Sequence, residues 1–454
     1  MAWQGVGGKH RHGQGPGHVM QVDEENPEDS PSMKDRQRRR RAASFDVLPL
    51  YKEFEGIKRK VYRGQRQRIA MLFLVTVFLI VSLRYCLRSG HGVPASEASK
   101  TGKRKESNLN KLDMPTRMVA GVRQACLKLL PENELEQLQL PSASNSVVKN
   151  LRYVSGGLSF AGDQTPSERL ASFQVQDTMQ VHCGWCAGNG FDIDPIDTAF
   201  MEACRVVVIT CTFGGGDNLY QPIGFVNATA SKVCYVAFWD DVTKQTQEEA
   251  GNRLGPDRKI GLWRVVLVRN LPFADQRKNG KIPKMLGHRL FPNAQFSIWT
   301  DSKSQFRRDP LGVLEALLWK PKAEFAISAH GARSCVYKEA VAIVQKHKAL
   351  PEEVDIQLEA YRSEGMPKDL RIDGHKALAE ASVIVREHTP ATNLFMCVWF
   401  NEVMRFTARD QLSFPYVLHR LPIFHLNMFP VCTRKALVNS MGHARKAAPL
   451  VVDG

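Results

Sequence analysis

The sequence predicts an α/β fold: a mostly parallel, Rossmann-type sheet covered by helices, preceded by one N-terminal transmembrane helix. Three observations support this fold class. Beyond residue 151, apolar β-branched runs alternate with helical stretches, those runs are apolar at successive positions, and acidic or glycine-rich sequences follow several of them. Strands that are apolar on both faces are typical of a sheet with helices on both sides.

Six apolar runs are the predicted strands. They are Val206–Cys211, Val233–Trp239, Trp263–Val268, Ala294–Trp299, Glu324–Ser328 and Ala381–Val385. Four stretches have the length and periodicity of helices, namely Lys281–Leu290, Pro310–Lys320, Ser334–Lys348 and Pro351–Ser363. Because ligands of such sheets bind beyond the carboxyl ends of the strands, the sequences that follow the strands are candidate sites.

The glycine-rich sequence FGGGD at 213–217 follows the first of these strands. It lacks the spacing of G-x-G-x-x-G, and no G-K-[ST] follows it. The sequence therefore indicates neither a Rossmann dinucleotide site nor a P-loop. The glycines either let a ligand approach the backbone closely or form a plain tight turn.

An apolar segment near residues 69–87 is the predicted membrane anchor. Ile69 to Leu83 contains no charge or proline, and Tyr85 to Leu87 extend it beyond Arg84. Crossing a bilayer takes roughly 20 helical residues, so this is a short span in which Arg84 snorkels. Six Lys and Arg residues between positions 58 and 68 place the N-terminus in the cytoplasm. A short span suits the Golgi or endoplasmic reticulum, and a buried core helix is the alternative.

The charge distribution sets the remaining boundaries. Residues 1–105 hold 21 Lys and Arg against 10 Asp and Glu, which accounts for +11 of the net charge of +16. A nucleic-acid-binding domain keeps its basic surplus on the folded part, so no nucleic-acid partner is expected. The predicted organisation is stated as ranges: 1–68 a disordered basic cytoplasmic tail, 69–87 the anchor, 88–150 a stem, 151–425 a lumenal domain and 426–454 a C-terminal tail.

Cysteines and one sequon are compatible with a lumenal domain. Nine of the ten cysteines lie beyond the predicted anchor at 69–87, so one to three disulfides are expected in an oxidising compartment. Cys183 and Cys186 have C-x-x-C spacing, but no second C-x-x-C or H-x₃₋₅-H accompanies them, which favours a disulfide or simple packing over a zinc site. Asn227 begins the sequon N-A-T and is the candidate glycosylation site.

Two charged sequences are candidates for chemistry. In WTDSK, a buried strand carries Asp301 to its end, with Lys303 two residues later. A carboxylate there can bind a divalent ion that bridges a diphosphate, or it can simply end the strand. Arg386, Glu387 and His388 follow another apolar strand, near Asp410 in sequence. Such dense charge beside aromatic residues indicates either an ion-pair network or an active site.

Several stretches in the same order resemble a plant Golgi family of mucilage-related hexosyltransferases, which also includes a turgor-regulating protein described as an alkaline ceramidase. The matching stretches are VHCG at 181–184, LPF at 271–273, GKIPKMLGHRLFPNAQFSIWTDSK at 280–303, DP at 309–310, LLW at 317–319 and REHTPATNLFMCVWFNEVMRFTARDQLSF at 386–414. Together with the acidic YRSEG segment they lie between roughly residues 180 and 420, about half of the chain.

The resemblance implies a GT-A-like fold, a nucleotide-sugar donor, a polysaccharide or glycan acceptor, and a divalent metal ion, Mn²⁺ or Mg²⁺. It places the metal on Asp301, where such enzymes carry D-x-D and this chain has Asp-Ser-Lys. The implied donor-binding residues are Asp301, Lys303, Lys281, Lys284 and Arg386. The implied catalytic residues are Asp410, Glu387 and His388.

The expected function is therefore a Golgi hexosyltransferase, anchored as a single-pass type II membrane protein, that builds a cell-wall polysaccharide or glycan. A lipid amidase of the ceramidase type is one alternative, although the chain has no G-x-S-x-G or H-E-x-x-H motif. A non-catalytic Golgi scaffold is the other, since the second aspartate of D-x-D is missing.

Overall fold

A nine-stranded mixed sheet lies at the centre of the computed structural model, which describes residues 126–154, 164–184, 190–372 and 374–444. The predicted tail and anchor lie outside these residues. In the part of the chain that the structure describes, every helix falls short of the length and apolar character needed to cross a membrane.

The described strands, in chain order, are β1 (Asn150–Tyr153), β2 (Thr178–Val181), β3 (Asp192–Ile193), β4 (Val206–Thr212), β5 (Cys234–Trp239), β6 (Lys259–Ile260), β7 (Trp263–Arg269), β8 (Phe296–Thr300), β9 (Ser304–Phe306), β10 (Phe325–Ala329), β11 (Arg371–Ile372), β12 (His375–Lys376), β13 (Ala379–Glu387), β14 (Leu426–Phe429) and β15 (Val438–Ser440). The large sheet has the order β14-β10-β13-β8-β4-β5-β7-β3, and β6 pairs with β7. Three small sheets pair β1 with β2, β11 with β12, and β9 with β15.

The described α-helices are α1 (Glu132–Gln137), α2 (Pro166–Ala171), α3 (Pro195–Ala203), α4 (Asn227–Ala230), α5 (Asp241–Glu249), α6 (Gln276–Asn279), α7 (Lys281–Met285), α8 (Gly287–Leu290), α9 (Pro310–Leu314), α10 (Val336–Gln345), α11 (Pro351–Ser363), α12 (Pro390–Arg405), α13 (Asp410–Arg420) and α14 (Val431–Leu437). A π-helical turn at Glu315–Trp319 continues α9. The predicted helix at 281–290 is thus two short helices, whereas the helix at 351–363 has the predicted bounds.

The direction of the strands corrects one prediction. The centre of the sheet is parallel, since β4 pairs in parallel with β5 and β8, and β5 with β7. However, β13 runs antiparallel to both β8 and β10, so the sheet is mixed rather than mostly parallel. Two consecutive helices, α10 and α11, separate β10 from β13, and the chain returns to the sheet at the same edge at which β10 ended, since Ala379 pairs with Ala329.

Burial follows the prediction that both faces of the sheet are covered. Along β4, Val207 and Ile209 belong to one buried apolar cluster, while Val206 and Val208 belong to the cluster on the other face. Helix α12 lies in the first cluster, and most of its residues are buried. Its sequence shows no amphipathic stripe because it is apolar nearly all round.

Both ends of the predicted domain extend further than expected. Residues 426–440, assigned to a C-terminal tail, form β14 at the edge of the sheet, then α14 and β15. In the predicted stem, Leu135 is buried, and Cys126 forms a disulfide with Cys432. Two further disulfides join Cys183 to Cys397 and Cys204 to Cys234. The stem and tail residues that the structure describes therefore belong to the folded domain.

Candidate active site

A cleft of about 860 Å³ lies at the carboxyl ends of β4 and β8, bounded by α7 and the first turn of α13. We call it the carboxyl-end cleft. The charged residues that line it are six basic ones, Arg277, Lys281, Lys284, Lys303, Lys348 and Arg409, and four acidic ones, Asp217, Asp301, Glu380 and Asp410. Its basic surplus suits an anionic ligand, and its position is the one that open α/β sheets use for binding.

Asp410 and two lysines form the most deeply buried charge cluster of the cleft. Lys281 and Lys284 are three residues apart on α7, so both side chains project from one face. Their Nζ atoms lie 2.6 and 2.7 Å from Oδ2 of Asp410. Burial raises the pKa of Asp410, but the two ammonium groups outweigh it and hold the pKa well below its usual range. Asp410 therefore stays ionised and is a weak proton acceptor.

The two lysines differ in their own protonation. Burial lowers the pKa of Lys281 to about 8, although Asp410 opposes the shift. The pKa of Lys284 is raised, because Asp410 and Asp301 together outweigh the cost of burial. Lys284 is thus a permanent cation, whereas Lys281 can change charge near neutral pH.

Asp301 follows β8 and is held more loosely than Asp410. Its carboxylate lies 3.6 Å from Nζ of Lys284 and 3.4 Å from Nζ of Lys303, and it accepts a 2.9 Å hydrogen bond from Nε1 of Trp299. Burial raises its pKa, but the neighbouring lysines bring it down to about 2. The side chain remains 22% exposed to the cleft. Asp301 is therefore an ionised carboxylate that a ligand can reach.

Sequence reasoning missed the part played by Asp217, the last residue of FGGGD. Gly214 and Gly215 have φ angles of 66° and 70°, which non-glycine residues rarely adopt, so this turn requires glycine. The turn brings Asp217 to Ser302, whose Oγ donates a 2.6 Å hydrogen bond to Oδ2 of Asp217. A second carboxylate therefore lies beside the Asp-Ser-Lys sequence, contributed by a different strand. The acidic strand end was the available signal.

The structure separates the remaining predicted residues from the cleft. In the antiparallel pairing of β13 with β8, Glu387 lies opposite Phe296, at the start of β8, whereas Asp301 follows the end of that strand. Arg386, Glu387 and His388 therefore lie at the other edge of the sheet, and we call these three residues the amino-end cluster. The sequence predicted that they join Asp301 and Asp410 in one site. They do not, because β13 runs antiparallel to β8, so the end of β13 lies at the edge of the sheet where β8 begins.

Hydrogen bonds occupy most polar atoms of the amino-end cluster, although Nδ1 of His388 is buried without a hydrogen-bond partner in the described residues. Glu387 accepts two from Ser144, at 2.7 Å from the backbone nitrogen and 2.6 Å from Oγ. Nε2 of His388 lies 2.8 Å from Oγ of Ser297. Arg386 contacts His288 at 3.2 Å, and burial lowers the pKa of Arg386 to about 9. This arrangement is that of a structural network.

A divalent cation fits the cleft only if Asp301 is one of its ligands and the bound substrate and water supply the others. In the described residues, no group of three carboxylate, His or Cys atoms converges around Asp301. Mg²⁺ commonly takes one or two carboxylates and fills its remaining positions with substrate phosphates and water. The exposed, ionised carboxylate of Asp301 meets that requirement.

A second group of ligand-type atoms lies elsewhere, at Cys183, His288 and Cys397. The two sulfurs are bonded to each other, so the expected alternative of a Cys183–Cys186 pair is not formed, and Cys186 lies outside the described residues. Nε2 of His288 lies 3.5 and 3.3 Å from the two sulfurs. The structure therefore assigns Cys183 to a disulfide that ties the end of β2 to α12.

Comparison with known proteins identifies one family, whose two reported relatives are named for different activities. Residues 146–443 match the family described as TOD1/MUCI70, glycosyltransferase-like domain. The Arabidopsis thaliana protein named probable hexosyltransferase MUCI70 is 39% identical over 338 residues, which are 69% of this chain and 58% of that protein. The Arabidopsis thaliana protein named alkaline ceramidase TOD1 is 32% identical over 324 residues, which are 69% of this chain and 70% of that protein. The chain thus spans less than two thirds of the first relative.

Two solved glycosyltransferase structures align in part. The apo structure of the bifunctional glycosyltransferase WbbM aligns with a TM-score of 0.30 at 11% identity, over 50% of this chain and 39% of that one. Apo mouse xyloside xylosyltransferase 1 aligns with a TM-score of 0.29 at 8% identity, over 50% of this chain and 84% of that one. Alignments at these scores do not identify a shared fold.

Proposed function

The chain belongs to the TOD1/MUCI70 glycosyltransferase-like family, and from this premise we propose that it transfers a hexosyl group from a nucleotide sugar to a polysaccharide or glycan. The observation that carries the proposal is the carboxyl-end cleft, in which Lys281, Lys284 and Lys303 surround Asp301 and Asp410. A nucleoside diphosphate is the leaving group of such a transfer. Positioned lysines neutralise the charge that develops on it as the glycosidic bond breaks.

The proposed roles follow from how tightly each group is held. Asp410 holds Lys281 and Lys284 at ion-pair distance, so it fixes the cationic wall against which the diphosphate lies. Lys303, one third exposed, reaches toward the open side of the cleft. With donor and acceptor held in line in this cleft, the reaction proceeds as an intramolecular step.

A divalent ion, Mn²⁺ or Mg²⁺, would be held by Asp301 together with the diphosphate oxygens. When bound, it would supply further positive charge against the leaving group. We also propose that the fold is of the GT-A type, a proposal supported by the strand-end position of Asp301 and by the parallel centre of the sheet.

We further propose that residues 69–87 anchor the chain in the Golgi membrane, with the domain in the lumen. The three disulfides support an oxidising compartment. Asn227 is exposed at the start of α4, where an oligosaccharide has room. An Asn227→Gln protein that migrates on a gel like the wild type, when both are made in a eukaryotic secretory pathway, would argue against lumenal glycosylation.

The proposal is tested with the purified domain, a panel of UDP- and GDP-hexoses, and Mn²⁺. We expect release of the nucleoside diphosphate from at least one donor, and Asp301→Asn should lower it at least 100-fold, the usual effect of removing one electrostatic stabiliser. Asp369→Asn is the matched control, because Asp369 is exposed and does not line the cleft. No turnover of any nucleotide sugar, together with release of sphingosine from ceramide by the same sample, would replace this proposal with a lipid amidase.

A further inference from the structure

Asp217 is a buried acidic residue of the carboxyl-end cleft, and hydrogen bonds hold its carboxylate in place. The side chain lines the cleft, and the residue is only 6% exposed. Within the described residues, no lysine or arginine nitrogen lies within 4 Å of the carboxylate, and its ionic neighbour is His443. A carboxylate so deeply buried is costly unless it accepts hydrogen bonds. The donors to Asp217 therefore indicate what this residue does.

These donors come from two segments that are distant in sequence. Oγ of Ser302 lies 2.6 Å from Oδ2 of Asp217, and the backbone nitrogen of Ala444 lies 3.0 Å from Oδ1. Nδ1 of His443 lies 3.1 Å from Oδ2 and 3.3 Å from Oδ1. Since a carboxylate only accepts hydrogen bonds, all three groups are donors. Asp217 therefore connects the loop that follows β4 to two other parts of the chain.

The first connection reaches the turn that carries Asp301 and Lys303. This turn has three residues, 301–303, between β8 and β9. Its backbone is closed by a 2.9 Å hydrogen bond from the first nitrogen of β9 to the carbonyl of Asp301. Ser302 lies at its middle, so the hydrogen bond to Asp217 ties the turn to the loop that follows β4. A shift of Ser302 would move both of its charged neighbours.

The second connection holds the end of the described chain, Met441–Ala444, which we call the C-terminal strap. The strap follows β15, which pairs with β9, and the nitrogen of Met441 donates a 2.9 Å hydrogen bond to the carbonyl of Lys303. The next residue is a glycine with a φ angle of 77°, a conformation that other residues rarely adopt. One side chain of the strap, His443, lines the cleft. The strap thus forms one wall of the cleft, and Asp217 holds its far end.

We propose that Asp217 is a positioning residue of the transfer, an inference that rests on the proposed function. It fixes the turn that carries Asp301 and Lys303, and it holds the C-terminal strap as a wall of the donor site. The side chains of Asp301 and Lys303 are 22% and 33% exposed, so packing restrains them less than it restrains Lys284, which is 7% exposed. The connection through Ser302 therefore supplies a restraint that packing does not.

The test measures kcat/KM per folded molecule with the nucleotide hexose that the wild-type protein turns over. Ser302→Ala should lower it about tenfold, and a stop codon after Met441, which removes the rest of the strap, should lower it about threefold. Asp217→Ala breaks both connections and should lower it by the product, about 30-fold. Ser302→Thr keeps the hydroxyl and should stay within about threefold of the wild type. Each loss is smaller than the roughly 100-fold that a small misplacement of substrate can cost.

Combined variants show whether Asp217 acts through these two connections. In the Asp217→Ala protein, adding Ser302→Ala or the stop codon should cost less than about a further twofold, because the connections are already broken. A residue that only stabilises the fold would lower the folded fraction, measured by circular dichroism, and leave kcat/KM per folded molecule unchanged. Ser363→Ala and Asp369→Ala are the matched controls, since both residues are exposed and neither lines the cleft.

Three outcomes would overturn the inference while the proposed function stands: Ser302→Ala turns over within twofold of the wild type, Ser302→Thr loses as much as Ser302→Ala, or Asp217→Ala loses more than tenfold beyond the product of the two single losses. The last result would mean that Asp217 contacts the donor or its metal ion directly. A wild-type protein that turns over no nucleotide sugar would instead overturn the proposed function, and the role of Asp217 with it.

Discussion

The carboxyl-end cleft and the amino-end cluster look alike in sequence and differ in structure. Each places charged side chains directly after or beside a buried strand, and each is rich in residues that catalysis uses. In the amino-end cluster, Ser144 forms two short hydrogen bonds with Glu387, and Ser297 forms one with Nε2 of His388. In the cleft, by contrast, Asp301 keeps long ion pairs, and Glu380 has no lysine or arginine partner within the described residues.

The comparison shows that a structural network differs from a candidate active site in how many hydrogen-bond and ionic partners its polar groups already have. The amount of charge does not separate the two. A buried polar group that already has its partners contributes to stability and loses stability when one partner is removed. A group in an open cleft with an incomplete set of partners keeps binding capacity for a ligand. The predictions that follow test this distinction.

The largest effect is expected from Lys284, the permanent cation of the cleft. Lys284→Met keeps the apolar stem but removes the charge that lies between Asp410 and Asp301. We expect kcat/KM for the donor to fall about 1,000-fold, since the leaving diphosphate loses a preorganised cation. The measurement is release of nucleoside diphosphate, and Lys338→Met on the exposed face of α10 is the control. A loss below threefold would show that the cleft is not the donor site.

How much of these two regions can be predicted from the sequence depends on whether a residue's position is set locally or by long-range strand pairing. Strand-end position is a local property, so Asp301 could be assigned to a site from the sequence, whereas the lysines of α7 were assigned to it only through the family resemblance. Glu380 could not be assigned to it, because its place depends on a bulge in the pairing of β10 with β13, and the predicted strand began one residue later, at Ala381. The direction of β13 was likewise not readable locally, and that direction puts Glu387 at the far edge of the sheet.

A helix that is buried on all sides is also difficult to predict from the sequence. Helix α12 shows aromatic and aliphatic residues at nearly every position, so periodicity does not distinguish it from a strand. Its start is marked by a capping box at Thr389, whose hydroxyl accepts from the backbone nitrogen of Thr392. Local capping chemistry was therefore the readable signal for this helix.

The amino-end cluster gives the second prediction, in which stability changes and activity does not. Glu387→Gln replaces the two side-chain oxygens that accept hydrogen bonds from Ser144 with an amide, in which only one atom can accept. We expect the free energy of unfolding to fall by about 2 kcal/mol, the scale of a lost hydrogen bond to a charged group. Urea denaturation measures the change, and kcat per folded molecule should match the wild type. If instead activity falls while stability is unchanged, Glu387 belongs to the active site.

The smallest expected effect is a pH dependence of the KM for the donor, and it compares Lys281 with Lys284 within the cleft. Burial, opposed by Asp410 and reinforced by Lys284 and Arg409, lowers the pKa of Lys281 to about 8, so its positive charge is present below that pH and is lost above it. Because the diphosphate is attracted by that charge, the KM for the donor should rise by at most about 25-fold as pH increases from 7.5 to 9.5, the fall in the protonated fraction of a group with a pKa of about 8. Lys281→Arg keeps its charge over this range and should flatten the profile. A wild-type profile as flat as that of the arginine variant would mean that Lys281 stays protonated or does not face the donor, and Lys284 and Lys303 would then account for the cationic wall.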